Sequence, residues 1–201
     1  MNGVTKNTGR IELLNSAGQR KYLTLQEREI FRKEAAKQPG EIRTFCLMLY
    51  LSGCRISEAL VVFRSRIDFD GQCVIIESLK QRKKGVFRHI PLPTKFLNDL
   101  EQVHRIRKLR RGEIRKDWKL WDWSRRTATR RLEEVMTSAG INGIQATANG
   151  IRHAYAIACF EKQIPINMVS KWLGHAKLET TAVYATVNNK EERDIAERLW
   201  K

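Results

Sequence analysis

The spacing of apolar residues changes period twice along the chain. Over residues 22–62 it is helical. Thr24, with Glu27 three positions on, has the capping-box pattern and predicts a helix start, and Pro39-Gly40 closes that helix. The stretch EIRTFCLMLYLSGC then carries Phe45, Leu47, Met48, Leu49 and Leu51 around most of a helical circumference. A helix apolar on nearly every side is a buried one, so this is the expected central helix, ending near Gly53. RISEALVV opens another helix, with Ser57 and Glu58 in its first turn. The period then shortens. CVIIESL (73–79) and FRHIPLP (87–93) read as strands, and KQRKKG between them reads as the charged tip of a β-hairpin. From Thr94 onward the helical period returns in TKFLNDLEQVHRIRKLRRG, SRRTATRRLEEVMTSAG, NGIRHAYAIACFEKQ, INMVSKWLGH, LETTAVYATV and KEERDIAERLW. Residues 110–123, with Trp118, Trp121 and Trp123, show the weakest pattern, and KLWDW within them fits either a short strand or a packed loop. Residues 1–20 are polar and read as a flexible arm, leaving 21–201 as one domain. The expected fold class is mainly α with a small β-hairpin or sheet (α+β).

Composition supports a globular core: 42% of the 201 residues are hydrophobic and 30% are charged. The charge is lopsided, with a formal net charge of +16. An excess of that size points to a polyanionic partner, nucleic acid first. No apolar run is long enough to predict a membrane span, and MNGVTKNTGRIELLNSAGQRK lacks the apolar segment of a signal peptide. Cys46, Cys54, Cys73 and Cys159 lie far apart and read as buried free thiols in a reducing compartment. The cations are densest in residues 104–116 and 125–131. Arg126 and Arg130 share a helix face beside Thr129, and Thr127 and Arg131 form a second pair. Guanidinium and hydroxyl groups on one face suit phosphate contacts, although any one of these arginines taken alone reads as solvated surface. Arg125, Arg126, Arg130 and Arg131 are therefore candidate nucleic-acid contacts, together with Arg82, Lys83 and Lys84 at the hairpin tip. Trp172 reads as core packing, and His89 and His104 as surface residues.

Four stretches together suggest chemistry: SGCRISEAL with Arg55, the hairpin SLKQRKKGVFRHIPLP, NGIRHAYA with Arg152 and His153, and WLGHAKLETTAVY with His175 and Tyr184. Breaking a phosphodiester needs a nucleophile, neutralisation of the phosphoryl oxygens and a proton for the leaving 5′-oxygen. A tyrosine can attack and keep the bond energy in a phosphotyrosine. Two arginines can clamp the nonbridging oxygens with permanently charged planar forks. A hairpin lysine can act as general acid, and a histidine can donate to the phosphate or manage the tyrosine proton. This scheme requires no metal or cofactor, and the sequence offers no convincing metal site.

These stretches resemble the catalytic domain of the tyrosine recombinases, the phage integrase family. The G-x-R-x-S-E box matches at Gly53, Arg55, Ser57 and Glu58, and the L-R-H box at Ile151, Arg152 and His153. L-G-H followed by T-T-x-x-Y matches at Leu173, Gly174, His175, Thr180, Thr181 and Tyr184. The hairpin box K…R-x-I-P-L matches at Lys80, Arg88, Ile90, Pro91 and Leu92. All four boxes occur in the family's order across residues 22–190.

The resemblance implies a site-specific recombinase that integrates, excises, inverts or resolves DNA through a 3′-phosphotyrosyl intermediate. It implies that Arg55 and Arg152 bind the scissile phosphate, His175 hydrogen-bonds to it, Tyr184 attacks, and the hairpin lysine protonates the 5′-oxygen; of Lys80, Lys83 and Lys84 near the tip, Lys80 is favoured by its place at the end of the strand. Glu58, His153 and Asn149 would support them. The family usually has histidine or lysine where this chain has Asn149, which can hydrogen-bond but cannot carry a proton at neutral pH. Double-stranded DNA is the implied partner, with four protomers on two sites, accessory DNA-bending proteins and a C-terminal helix donated to a neighbour. A cytoplasmic, nucleoid-associated protein of a bacterium or mobile element is implied as well. Two other readings stay open on sequence: relaxation of DNA in the manner of a type IB topoisomerase, and a weakly active or inactive DNA-binding regulator on the same fold.

Overall fold

A computed structural model describes residues 12–79, 85–107, 118–185 and 197–200. Helix α1 (Leu25–Lys37) begins as its sequence predicts. The Thr24 hydroxyl accepts from the Glu27 amide at 3.1 Å, and the Glu27 carboxylate accepts from the Thr24 amide at 2.8 Å. Helix α2 (Gly40–Ser52) is the central helix, with Phe45, Cys46, Met48 and Leu49 all but sealed from solvent. It packs against α1 and the four helices that follow it in the chain. Gly53 ends it at φ 59°, and a Cβ there would lie 2.5 Å from the Tyr155 ring, so both the left-handed turn and the close packing require glycine. Helix α3 (Ile56–Ala59) is a single turn, shorter than the hydrophobic run suggested.

The β structure exceeds a hairpin. Strands β1 (Ile67–Asp68), β2 (Cys73–Glu77) and β3 (Phe87–Pro91) form an antiparallel sheet in that order. Two residues of β1 are too few to show a period of two in sequence. In β3 the inward positions are Arg88 and Ile90, which face Ile76 and Val74 in the register. The alternation of the pleat thus turns an arginine toward the interior. The tip, residues 80–84, lies outside the described residues.

Helix α4 (Thr94–His104) stops at Arg105, which takes a left-handed φ of 51°. Its apolar face, Phe96, Leu97 and Leu100, extends one more turn to His104, which corrects the surface assignment made from sequence. The ring is buried, its Nε2 lies 2.9 Å from the Thr44 hydroxyl, and its plane meets Trp121 edge-on with centroids 5.5 Å apart. Trp121 donates its indole N–H to the Glu41 carbonyl at 3.1 Å. Of the two forms open to the tryptophan segment, residues 118–123 are a packed loop, tied to the domain by one bridge between Lys119 and Phe63. His89 is exposed, as expected, and Trp172 packs against both apolar clusters. All four cysteines are buried free thiols.

Helix α5 (Arg125–Ser138) is capped by Ser124 and α6 (Ala148–Glu161) by Thr147. Helix α7 (Ile166–Leu173) ends on Gly174, and α8 (Glu179–Ala182) is one turn. The main core joins α1–α6 to the sheet. A second cluster gathers Leu13, Tyr155, Ile157, Val169, Leu173 and Tyr184. Residues 12–20, assigned by sequence to an arm, turn back so that Leu14 pairs with Arg20 while Leu13 enters the second cluster. Of the expected C-terminal helix, residues 190–196 lie outside the described ones, and Glu197–Leu199 form a 3-10 turn with Leu199 and Trp200 exposed. Among the described residues no helix is long and apolar enough to cross a membrane.

Candidate active site

The site lies where α3, α6, α7 and α8 meet the inner face of the sheet. Arg55 is the N-cap of α3, and Glu58, three residues on, is completely buried beneath it. The Glu58 carboxylate accepts from the Arg55 amide at 2.9 Å, from the Arg55 guanidinium at 2.9 Å and from Arg88 at 2.7 Å. Burial alone would raise its pKa, but the Arg88 hydrogen bond and charge, with the Arg55 amide and charge, outweigh burial and hold it below the usual carboxylate range. Arg88 also donates to the Ser78 hydroxyl and to the Trp172 carbonyl. One buried guanidinium therefore ties α3, the base of the hairpin and the end of α7 together.

Arg152 projects from α6 and is 5% exposed. It donates to the Gly53 carbonyl at 2.7 Å and to the Leu173 carbonyl at 2.7 Å, so the ends of α2 and α7 aim it. Its NH2 also lies 3.1 Å from His175 Nε2. A guanidinium only donates, so Nε2 accepts, and the imidazole proton sits on Nδ1, facing the Thr181 hydroxyl at 2.8 Å. Burial, then the charges of Arg152, Arg55 and Arg88, lower the His175 pKa to about 3, which keeps the ring neutral. Burial and repulsion from Arg55 likewise lower Arg152, to about 10, leaving it cationic at neutral pH.

Tyr184 follows α8 and is fully buried in the second apolar cluster. Its ring stacks parallel to His175 at 6.3 Å, and its hydroxyl lies 2.8 Å from His153 Nδ1. Burial raises the phenol to about 12, against the opposing pull of Arg152 and Arg55. The fold thus brings Arg55, Glu58, Arg152, His153, His175 and Tyr184 into one network. Asn149 is exposed on the first turn of α6, and among the described residues no hydrogen bond joins its side chain to that network. Lys80, Arg82, Lys83 and Lys84 lie outside the described residues. Arg125, Arg126 and Arg130 line an open groove of about 790 Å³ with Thr127, Thr129 and Glu133, while Arg131 stacks over Trp123 at 4.3 Å.

The profile of the phage integrase family matches residues 21–191. The chain belongs to the phage integrase family. The tyrosine recombinase XerA of Pyrococcus furiosus is 29% identical over 187 residues, covering 89% of this chain and 61% of that protein. The chain thus spans about three fifths of that relative's length. Among solved structures, XerH recombinase bound to a palindromic difH substrate superposes with a TM-score of 0.73 at 21% identity, covering 93% of this chain and 56% of that one. The catalytic domain of bacteriophage HP1 integrase superposes with a TM-score of 0.62 at 18% identity, covering 87% of this chain and 93% of that domain. The last two show a shared fold.

Sequence reasoning named the charged members of this network, and Thr181 as part of a box without a role, but missed the other supports: Ser78 beside Arg88, and the carbonyls of Gly53, Trp172 and Leu173. Backbone acceptors leave no trace in side-chain identity. Arg88 did carry a signal, because strand alternation groups it with Ile90 on the inner face.

Proposed function

We propose that this chain cuts and rejoins double-stranded DNA at a specific site through a 3′-phosphotyrosyl link to Tyr184. The observation that carries the reading is the convergence on one small volume of two arginines, a neutral histidine and a buried tyrosine, each fixed by hydrogen bonds. Arg55 and Arg152 neutralise the nonbridging oxygens of the scissile phosphate. Charge that develops there meets donors already oriented, which is where electrostatic catalysis is strongest. His175 joins them by donating from Nε2. In the ligand-free arrangement that nitrogen accepts from Arg152, so phosphate entry replaces this contact and moves the ring proton. Tyr184 attacks phosphorus, the bond to the 5′-oxygen breaks, and Lys80 protonates the departing oxygen. Rejoining runs the same steps backward with a 5′-hydroxyl as nucleophile. The net charge of +16 and the arginine face of α5 supply the sequence-independent part of DNA binding. Four protomers on two DNA sites, with accessory DNA-bending proteins, make up the working complex, in a cytoplasmic, nucleoid-associated setting.

The test is covalent trapping. DNA nicked beside the cleavage site loses its short 5′ fragment after attack, so the protein stays attached. Wild type is expected to give a denaturation-resistant adduct on a 3′-phosphate, and Tyr184→Phe none. Tight, site-specific binding with no adduct from wild type overturns the recombinase reading and favours the DNA-binding regulator, which the exposed Asn149 would then explain.

A further inference from the structure

We propose that His153 is the group that takes the phenolic proton of Tyr184 as the phosphotyrosyl bond forms. The inference rests on Tyr184 being the nucleophile and gives a destination to the one proton of the attack step that has none so far. His153 Nδ1 lies 2.8 Å from the Tyr184 hydroxyl, and the two ring centroids are 5.6 Å apart at 43°. Among the described residues no other side chain hydrogen-bonds that hydroxyl. A buried O–H without an acceptor costs more than an unused lone pair, so the phenol donates and the imidazole accepts. The alternatives are occupied or unfit. His175 is bonded to Thr181 and Arg152 before DNA binds and, on the reading above, to Thr181 and the phosphate once it has bound. Asn149 is exposed, and an amide cannot hold a proton at neutral pH.

Electrostatics supports the assignment. Burial first, then the charges of Arg152 and Lys21, lower the His153 pKa to about 4, so its lone pair is free at neutral pH. The charged and titratable groups acting on the ring are Arg152, Lys21, His175 and Tyr184. The phenol, raised to about 12 by burial, does not ionise unaided. A bound phosphodiester places negative charge against Arg152 and removes one of the causes that keep His153 neutral. Proton acceptance is therefore coupled to substrate arrival. In the forward step the O–H proton passes to Nδ1, the Tyr184 oxygen bonds to phosphorus, and the phosphorus–5′-oxygen bond breaks with its electrons leaving on oxygen, which takes a proton from the general acid. On rejoining, the 5′-hydroxyl attacks and returns its proton to the general acid, the phosphorus–tyrosyl oxygen bond breaks, and the leaving tyrosyl oxygen recovers the proton held by His153.

The experiment measures single-turnover adduct formation on the nicked DNA for wild type, His153→Asn and His153→Gln. Each protein carries either tyrosine or a fluorotyrosine of lower phenol pKa at position 184. Loss of a general base slows such a step by about 10²-fold or more. The expected result is a loss of that size in both variants with DNA binding retained, and recovery of about tenfold or more by fluorotyrosine in the variants but not in wild type. A more acidic phenol does not correct a misplaced one, so a loss that fluorotyrosine leaves unchanged overturns the proposal, as does a rate within roughly threefold of wild type. A second measurement keeps His153 in place: in ¹⁵N-histidine spectra, Tyr184→Phe is expected to shift the His153 Nδ1 resonance, and an unmoved resonance overturns the contact. No adduct from wild type overturns the recombinase reading itself, whereas a normal adduct from the His153 variants overturns only the role given to His153.

Discussion

The molecule uses arginine in two ways, and the active site and helix α5 show the contrast. Arg88 and Arg152 are 6% and 5% exposed, and each is surrounded by acceptors: Glu58, Ser78 and Trp172 for one, Gly53, Leu173 and His175 for the other. Arg125, Arg126 and Arg130 stand on α5 along an open groove. Taking a guanidinium out of water costs several kcal/mol unless charge and hydrogen bonds replace its hydration. The buried pair has that replacement and is fixed before substrate arrives. The groove set keeps most of its hydration and can follow a phosphate track. Substitutions in the first region should therefore alter chemistry and stability, and those in the second should alter affinity and its response to salt.

The hardest break of that contrast is Arg152→Ala. Removing a donor aimed at developing charge should lower the adduct rate by about 10²–10³-fold. The carbonyls of Gly53 and Leu173 would also be stripped of their partner, at about 1–3 kcal/mol for each one left unsatisfied. Arg152→Lys sharpens the test, since it restores charge without the fork that reaches both carbonyls and should recover binding better than rate. Glu58→Ala comes next. It leaves Arg88 buried without its counter-ion, and breaking such a pair costs about 3–5 kcal/mol. Urea unfolding at neutral pH measures it. Because the folded-state pKa of Glu58 is depressed, its contribution is present above the unfolded carboxylate value and disappears as pH falls through the folded one. A Glu58→Ala protein as stable as wild type would show that the two arginines do not depend on it.

The histidines show which parts were legible. His175 and Tyr184 could be grouped from sequence because the boxes keep fixed spacing on short local elements. His104 was misassigned because a histidine at a helix end looks polar in isolation, and only the stripe through Phe96, Leu97 and Leu100 shows that the face continues inward. Helix starts at Thr24 and stops at Gly53 were readable because caps are local chemistry. Strand β1 and the carbonyls that aim Arg152 were not, since they depend on what the chain meets after folding. His104 gives the intermediate-sized prediction. Burial, with repulsion from Arg64, lowers its pKa to about 4, so the fold prefers the neutral ring. Its contribution is full above an unfolded value of about 6.5 and is lost as pH falls toward the folded one, about 2 kcal/mol of it between pH 7 and 5. His153 and His175 are lowered as well and act in the same direction. His104→Phe fills the site and leaves the Thr44 hydroxyl bonded to the Gly40 carbonyl, so the pH slope of unfolding should shrink by that share. An unchanged slope would return His104 to the surface.

The smallest effects belong to α5. Arg126→Ala and Arg130→Ala should each reduce the slope of log affinity against log salt by about 1, because every phosphate no longer neutralised by the protein keeps about one condensed counterion. The weakening should be the same on specific and random DNA, since phosphates carry no sequence. Adduct formation at saturating protein should keep its wild-type rate. Arg131 differs in kind: it stacks on Trp123 at 4.3 Å, so Arg131→Ala should also lower stability, by about 0.5–1 kcal/mol. If Arg126→Ala weakens specific binding while sparing random DNA, that residue reads a base edge, and α5 supplies recognition as well as charge. If it slows the adduct at saturation with the salt slope intact, the boundary between fixed and free arginines has been drawn in the wrong place, and α5 belongs to the machinery of cleavage.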